Sequence, residues 1–200
     1  MDWNVFWSTL GLLFLAELGD KTQLAVIAQV CRYGRPGAVL LGAALALSGV
    51  TALGALAGHL VGGLLGGEWL RYLAAGGFLA MGLFLLGEAW RAGRKEKDEA
   101  CPPGTPSAVA STWRVIGSTL VLLALAEMGD KTQLAVFVRA SESQRPWEVF
   151  GGATLAMVGL SALGVLGGQG LVRLLPERYL RWLSALAFIL MGVLIGVGWL

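Results

Sequence analysis

Two short stretches place acids, bases and amides inside otherwise apolar sequence. Ala16–Val26 reads A-E-L-G-D-K-T-Q-L-A-V and Ala126–Val136 reads A-E-M-G-D-K-T-Q-L-A-V, differing by one Leu/Met exchange. Each supplies two carboxylates (Glu17 and Asp20; Glu127 and Asp130), an ammonium (Lys21; Lys131), a hydroxyl (Thr22; Thr132) and a carboxamide (Gln23; Gln133). Neither stretch holds a thiol or an imidazole. Oxygen donors of this kind suit hard divalent cations such as Ca²⁺ or Mn²⁺ better than Cu⁺ or Zn²⁺. Four negative groups against two positive leave a formal charge of about −2, which one divalent cation or two protons would neutralise.

Positioning these groups is the work of the elements that carry them. On a continuous helix, Glu17 and Asp20 share a face at i, i+3, and Lys21 lies one turn from Glu17 and can pair with it. Gly19 and Gly129, directly before the aspartates, weaken the helix locally and let the backbone bend, exposing carbonyl oxygens as further ligands. The motifs lie deep within long apolar segments, near the centre of a bilayer at 1.5 Å of rise per residue. A lone charge at that depth costs about 3 kcal/mol on insertion scales, so six ionisable groups there point to a pathway or a buried ion-pair cluster.

Composition agrees with a membrane setting: 56% of the 200 residues are hydrophobic and only 14% charged. The net charge of +2 leaves no basic footprint for nucleic acid. Thirty glycines interleaved with Leu, Ala and Val suit closely packed membrane helices and exclude collagen and disorder. Apolar stretches at 4–30, 38–65, 69–90, 115–138, 148–172 and 179–200 each reach the roughly 20 residues needed to span hydrocarbon. They are continuous and do not alternate, so six helices are expected and a barrel is not. The first, with no basic segment before it and no small-residue cleavage site, is read as a retained helix and not a signal peptide.

Sliding the chain against itself by 110 residues aligns about 40 of 90 positions identically. Arg35-Pro36 recurs as Arg145-Pro146, Leu53-Gly54 as Leu163-Gly164, Gly58 as Gly168 and Met81-Gly82 as Met191-Gly192. The expected organisation is therefore all-α and integral to the membrane, with repeat 1 over 1–90, a linker over 91–113 and repeat 2 over 114–200. Three crossings are an odd number, so the second repeat enters from the opposite side, the inverted arrangement of many secondary transporters. With the linker cytoplasmic, that side holds Arg32, Arg35, Arg91, Arg94, Lys95, Lys97, Arg114, Arg173, Arg178 and Arg181, against Arg71, Arg139 and Arg145 outside. This asymmetry predicts a multi-pass protein with both termini outside, in the periplasm or an organelle lumen.

Two E-x-G-D-[KR]-[ST] motifs on the first helices of inverted halves resemble the manganese-export and calcium/proton antiporter family of bacteria, Golgi and chloroplasts. The resemblance covers essentially the whole chain. It implies exchange of a divalent cation for protons and no enzyme activity. Glu17, Asp20, Glu127 and Asp130 would be the cation ligands, supported by Lys21, Thr22, Gln23, Lys131, Thr132 and Gln133. The metal is then substrate, no cofactor is expected, and the partners are the cation, protons and the lipid bilayer. The oligomeric state stays open, a homodimer included.

Other features carry less. Thr51 and Ser161 correspond under the repeat and are candidate secondary ligands, although such hydroxyls commonly bond between membrane helices. His59 has Gln169 as its counterpart, which favours hydrogen-bonded packing over proton relay. Gly54 to Gly58 and Gly164 to Gly168 read as packing faces. Trp3, Trp69, Trp113, Trp147, Trp182 and Trp199 read as interfacial anchors, and Cys31 and Cys101 as structural or incidental thiols. Two competing functions remain: export of a small organic cation or amino acid, which carboxylates and lysines would also bind, and intramembrane aspartyl proteolysis. The second needs a G-x-G-D motif, whose first glycine is here Glu17 or Glu127, and leaves the glutamates and lysines unexplained.

Overall fold

The structure is a computed structural model describing residues 2–18, 20–65, 68–91, 111–174 and 177–198. Outside the described residues lie Gly19, most of the linker with Cys101, and Trp199, together with the side chains of Lys21, Arg91, Gln169, Arg173, Arg178 and Arg181. The described chain is all-helical: α1 (Trp3–Glu17), α2 (Lys21–Tyr33), α3 (Pro36–Leu65), α4 (Glu68–Arg91), α5 (Thr112–Glu127), α6 (Lys131–Ser143), α7 (Pro146–Leu174) and α8 (Glu177–Val197).

Eight helices stand where six apolar stretches were read, because the first stretch of each repeat is broken at its motif. α1 ends at Glu17 with Leu18 extended (φ −64°, ψ 110°), and α2 restarts behind Asp20, also extended (ψ 170°). The second copy does the same at Met128 and Asp130, with Gly129 at φ +84°, a conformation glycine adopts without strain. By length and apolarity, α3 and α7 suffice to cross a bilayer, and Arg71–Gly87 and Trp182–Val197 form shorter apolar helices.

Glycines set how closely the long helices approach. Gly54, Gly58 and Gly62 present every fourth position of α3 to α6, against Val136, Phe137 and Ser141. In the second half Gly164 of α7 rests on Gln23 of α2. A Cβ on Gly42 would stand 2.7 Å from the carbonyl oxygen of Ile116 on α5, and one on its counterpart Gly152 would stand 2.6 Å from that of Phe6 on α1. Gly152→Val is therefore expected to cost about 1–3 kcal/mol through overpacking, read as a lowered Tm. Gly49→Ala, with nothing within 4 Å of its added carbon, serves as the unchanged control.

α4 and α8 pack antiparallel along their lengths, Gly82 against Ile189 and Gly192 against Leu79, with Phe78 and Phe188 5.8 Å apart between them. At one end of the bundle the start of α1 meets the end of α6 and the start of α7. At the other, Arg35 donates to Thr112 at 2.6 Å and Ser118 to the Tyr33 hydroxyl at 3.3 Å. Trp3, Trp69, Trp113 and Trp147 are all exposed. Cys31 is disulfide-bonded, not a thiol as the sequence suggested.

Candidate cation site

The two breaks meet in the middle of the bundle, so four helix ends converge there: the C-termini of α1 and α5 and the N-termini of α2 and α6. The unwound carbonyls and negative dipole ends of α1 and α5 favour a cation there, while the positive N-terminal ends of α2 and α6 favour carboxylates. Asp20 and Asp130 occupy the N-cap positions of α2 and α6, yet neither caps its own helix through its side chain. Gln133 instead secures the second break, its Oε1 accepting from the Gly129 N–H at 2.6 Å.

The glutamates are held reciprocally. Thr22 of the first half donates to Glu127 of the second, and Thr132 of the second donates to Glu17 of the first. Each bond engages one carboxylate oxygen. The other, Oε2 of Glu17 and Oε2 of Glu127, is buried without a hydrogen-bond partner among the described residues. A buried carboxylate oxygen left unpaired is costly.

Lys131 crosses between the halves as well. Its ammonium lies 3.1 Å from Asp20 Oδ1 and 3.5 Å from Glu17 Oε1, and donates to the Ala16 carbonyl at 3.2 Å. The break between Glu17 and Lys21 ends the i, i+4 relation on which their expected pairing rested, and the Lys21 side chain lies outside the described residues. Among the described residues, no three acidic side chains lie close enough to form a preassembled metal cluster. The glutamates are drawn to opposite threonines and Lys131 sits against Glu17 and Asp20.

A cleft lined by Glu17, Thr22, Gln23 and Ser161, with Leu47, Met157 and Leu160, opens beside the junction. Ser161 thus reaches the motif, whereas buried Thr51 donates to Met157 Sδ at 3.6 Å. His59 is half-buried on α3 with Nδ1 lacking a partner among the described residues, so the hydrogen-bonded role expected for it is not seen. Two residues escaped the sequence reading. Ser184 of α8 donates to the Ala16 carbonyl at 2.9 Å, tethering the end of α1. Arg139, counted as an outer-loop charge, is 1% exposed within α6.

Comparison with known proteins matches this arrangement to one family. The model of the divalent cation/proton antiporter GDT1 matches residues 5–93 and 115–199, one stretch for each motif. A GDT1-like protein of Synechocystis sp. is 29% identical over 95% of both chains. GDT1-like protein 5 of Arabidopsis thaliana is 26% identical over 94% of this chain and 93% of its own. GDT1-like protein 4 of Oryza sativa subsp. indica is 28% identical over 93% of this chain and 70% of its own. No solved structure matches the chain. The protein is a membrane transporter and not an enzyme, and it belongs to the GDT1 family of divalent cation/proton antiporters.

Proposed function

We propose that this antiporter exports Mn²⁺ and/or Ca²⁺ from the cytoplasm across the cell inner membrane in exchange for protons, with Glu17, Asp20, Glu127 and Asp130 as the cation ligands. The observation that carries this reading is the pair of buried, unpartnered Oε2 atoms on Glu17 and Glu127, each held in place by a threonine of the opposite half. Thr22, Gln23, Thr132 and Gln133 supply or orient neutral oxygens, and Ser161 lends a hydroxyl to the same cleft. Lys131 holds the place of a cation beside Glu17 and Asp20 until the substrate draws the carboxylates together.

The six-crossing inverted architecture belongs to the same proposal. The broken pairs α1–α2 and α5–α6 each count as one crossing, α3, α4, α7 and α8 supply the rest, and 91–113 is the cytoplasmic linker between repeats 1–90 and 114–200. Support comes from the 110-residue repeat and the excess of arginine and lysine on the linker side. Rocking of one repeat against the other would present the junction to each side in turn.

Purified protein in liposomes under an imposed pH gradient, offered Mn²⁺, Ca²⁺, Mg²⁺ and lysine, tests the substrate. Mn²⁺ or Ca²⁺ is expected to move and to speed up when protons are concentrated on the opposite side, while lysine neither moves nor competes. Lysine transport, or Mg²⁺ outpacing both other cations, would overturn the assignment.

A further inference from the structure

The buried charge that the cation site leaves unused is Arg139, the largest fully buried side chain among the described residues. Its guanidinium donates through Nη1 to Glu142 Oε2 at 2.6 Å, one turn along α6, and through Nη2 to Ser8 Oγ of α1 at 3.0 Å. Arg71 of α4 acts electrostatically on the same Glu142 carboxylate. Beside them the Asp2 N–H donates to Glu148 of α7 at 3.2 Å. One end of the bundle is thus tied through α1, α4, α6 and α7.

The opposite end is built differently. Under the 110-residue shift the counterparts of Arg139, Glu142 and Ser8 are Gln29, Arg32 and Ser118, so the buried ion pair has no equivalent. Gln29 is buried with Oε1 lacking a partner among the described residues. The core at the Arg139 end includes Ala74, Ala75 and Phe78 of α4 and Phe188, Met191 and Ile195 of α8. Among the described residues, the core at the other end draws on α2, α3, α5 and α7. Leu12 of α1 is 6% exposed where its counterpart Leu122 of α5 is 43% exposed. The helices around Arg139 are therefore closed against α4 and α8 at that end, and α5 is less covered than α1 at matching positions.

We propose that Arg139 is the latch of a gate, and that this structure is the state sealed at the end where α1 begins and α6 ends. Opening there requires α1 to leave α6, which separates Ser8 from Arg139. The matching end lacks an arginine, so the two access states are unequal and the latch biases the protein toward the one seen. The direction of this bias rests on the topology proposed above. With the linker cytoplasmic, the latched end faces away from the cytoplasm and the resting protein awaits substrate from within.

Spin labels test the latch in the full-length protein in nanodiscs, with Cys31 and Cys101 replaced by serine throughout. A pair at Asn4 and Gln144 reports the latched end, and a pair at Arg32 and Arg114 the other. Arg139→Gln, which copies the residue of the matching repeat position, is expected to shift the Asn4–Gln144 distances to longer values and the Arg32–Arg114 distances to shorter ones. Arg139→Lys should restore part of the native distribution. Superimposable distributions for Arg139→Gln and the native residue would overturn the proposal. Should Arg139→Gln fail to fold, Ser8→Ala removes the inter-helix bond, together with the hydroxyl's bond to the Val5 carbonyl inside α1, and is read the same way. Because no metal enters the measurement, the latch can stand or fall apart from the substrate assignment, which the liposome assay decides.

Discussion

Glutamine at Glu17 or at Glu127 is expected to abolish cation exchange while the protein still inserts and folds. The substitution keeps the shape of the side chain and an oxygen for the threonine of the opposite half, so packing around the junction is preserved. It removes the negative charge and one of the two oxygens a cation would use. Loss of a residue that merely orients a ligand typically costs about 10–100-fold in metal affinity. That is the range expected for Thr22→Val and Thr132→Val, and the glutamate variants should fall below it. Thr51→Ala and His59→Gln should do less, since Thr51 is committed to Met157 and His59 does not line the cleft. Transport of Mn²⁺ or Ca²⁺ into liposomes under a fixed pH gradient measures all six. Near-native rates in the Glu17→Gln/Glu127→Gln double variant would remove both residues from the site.

Exchange by the native protein is expected to be electroneutral, and Lys131→Gln to make it voltage-sensitive. With the ligand set proposed above, the four carboxylates and two lysines of the motifs carry a formal charge of −2, which one divalent cation or two protons would neutralise. Net charge is expensive to move through a bilayer, and a neutral loaded state crosses its barrier most easily. Lys131, within ion-pair distance of Glu17 and Asp20, is part of that count. Removing it leaves one uncompensated negative charge in the loaded state. A full elementary charge moved through the membrane potential corresponds to about 2.3 kcal/mol per 100 mV, or about 50-fold in rate at the limit. Clamping the liposome voltage with potassium and an ionophore should leave native exchange unaltered and change that of Lys131→Gln. Large metal-carried currents in the native protein would rule out the one-for-two cycle.

Much of this arrangement is legible in the residues. The repeated motif locates the junction, and the apolar stretches locate α3, α4, α7 and α8 to within a few residues. The breaks were visible only as a weakness: Gly19 and Gly129 permit a bend, but helix propensity alone does not say whether neighbouring helices exploit it. Here they do, because each glutamate finds its hydroxyl in the other half. The crossing of Lys131 to Glu17 and Asp20 depends on that same tertiary approach, which no spacing along one helix encodes. Arg139 did leave a signal. It lies just beyond an apolar stretch, and its alignment with neutral Gln29 breaks the repetition where a buried cation would matter most. Ser184 against Ala74 is a second such departure.

The exchange of threonines between glutamates also bears on how the chain came to exist. Neither half furnishes the hydroxyl that holds its own glutamate, so with the inverted topology proposed above a single-copy form would need a second molecule lying the opposite way. In one chain that partnership is built in, and the two copies differ where Arg139 stands opposite Gln29. Suppressors of a defect at Thr22 should accordingly arise around Glu127, a hundred residues away in sequence, and not around neighbouring Glu17.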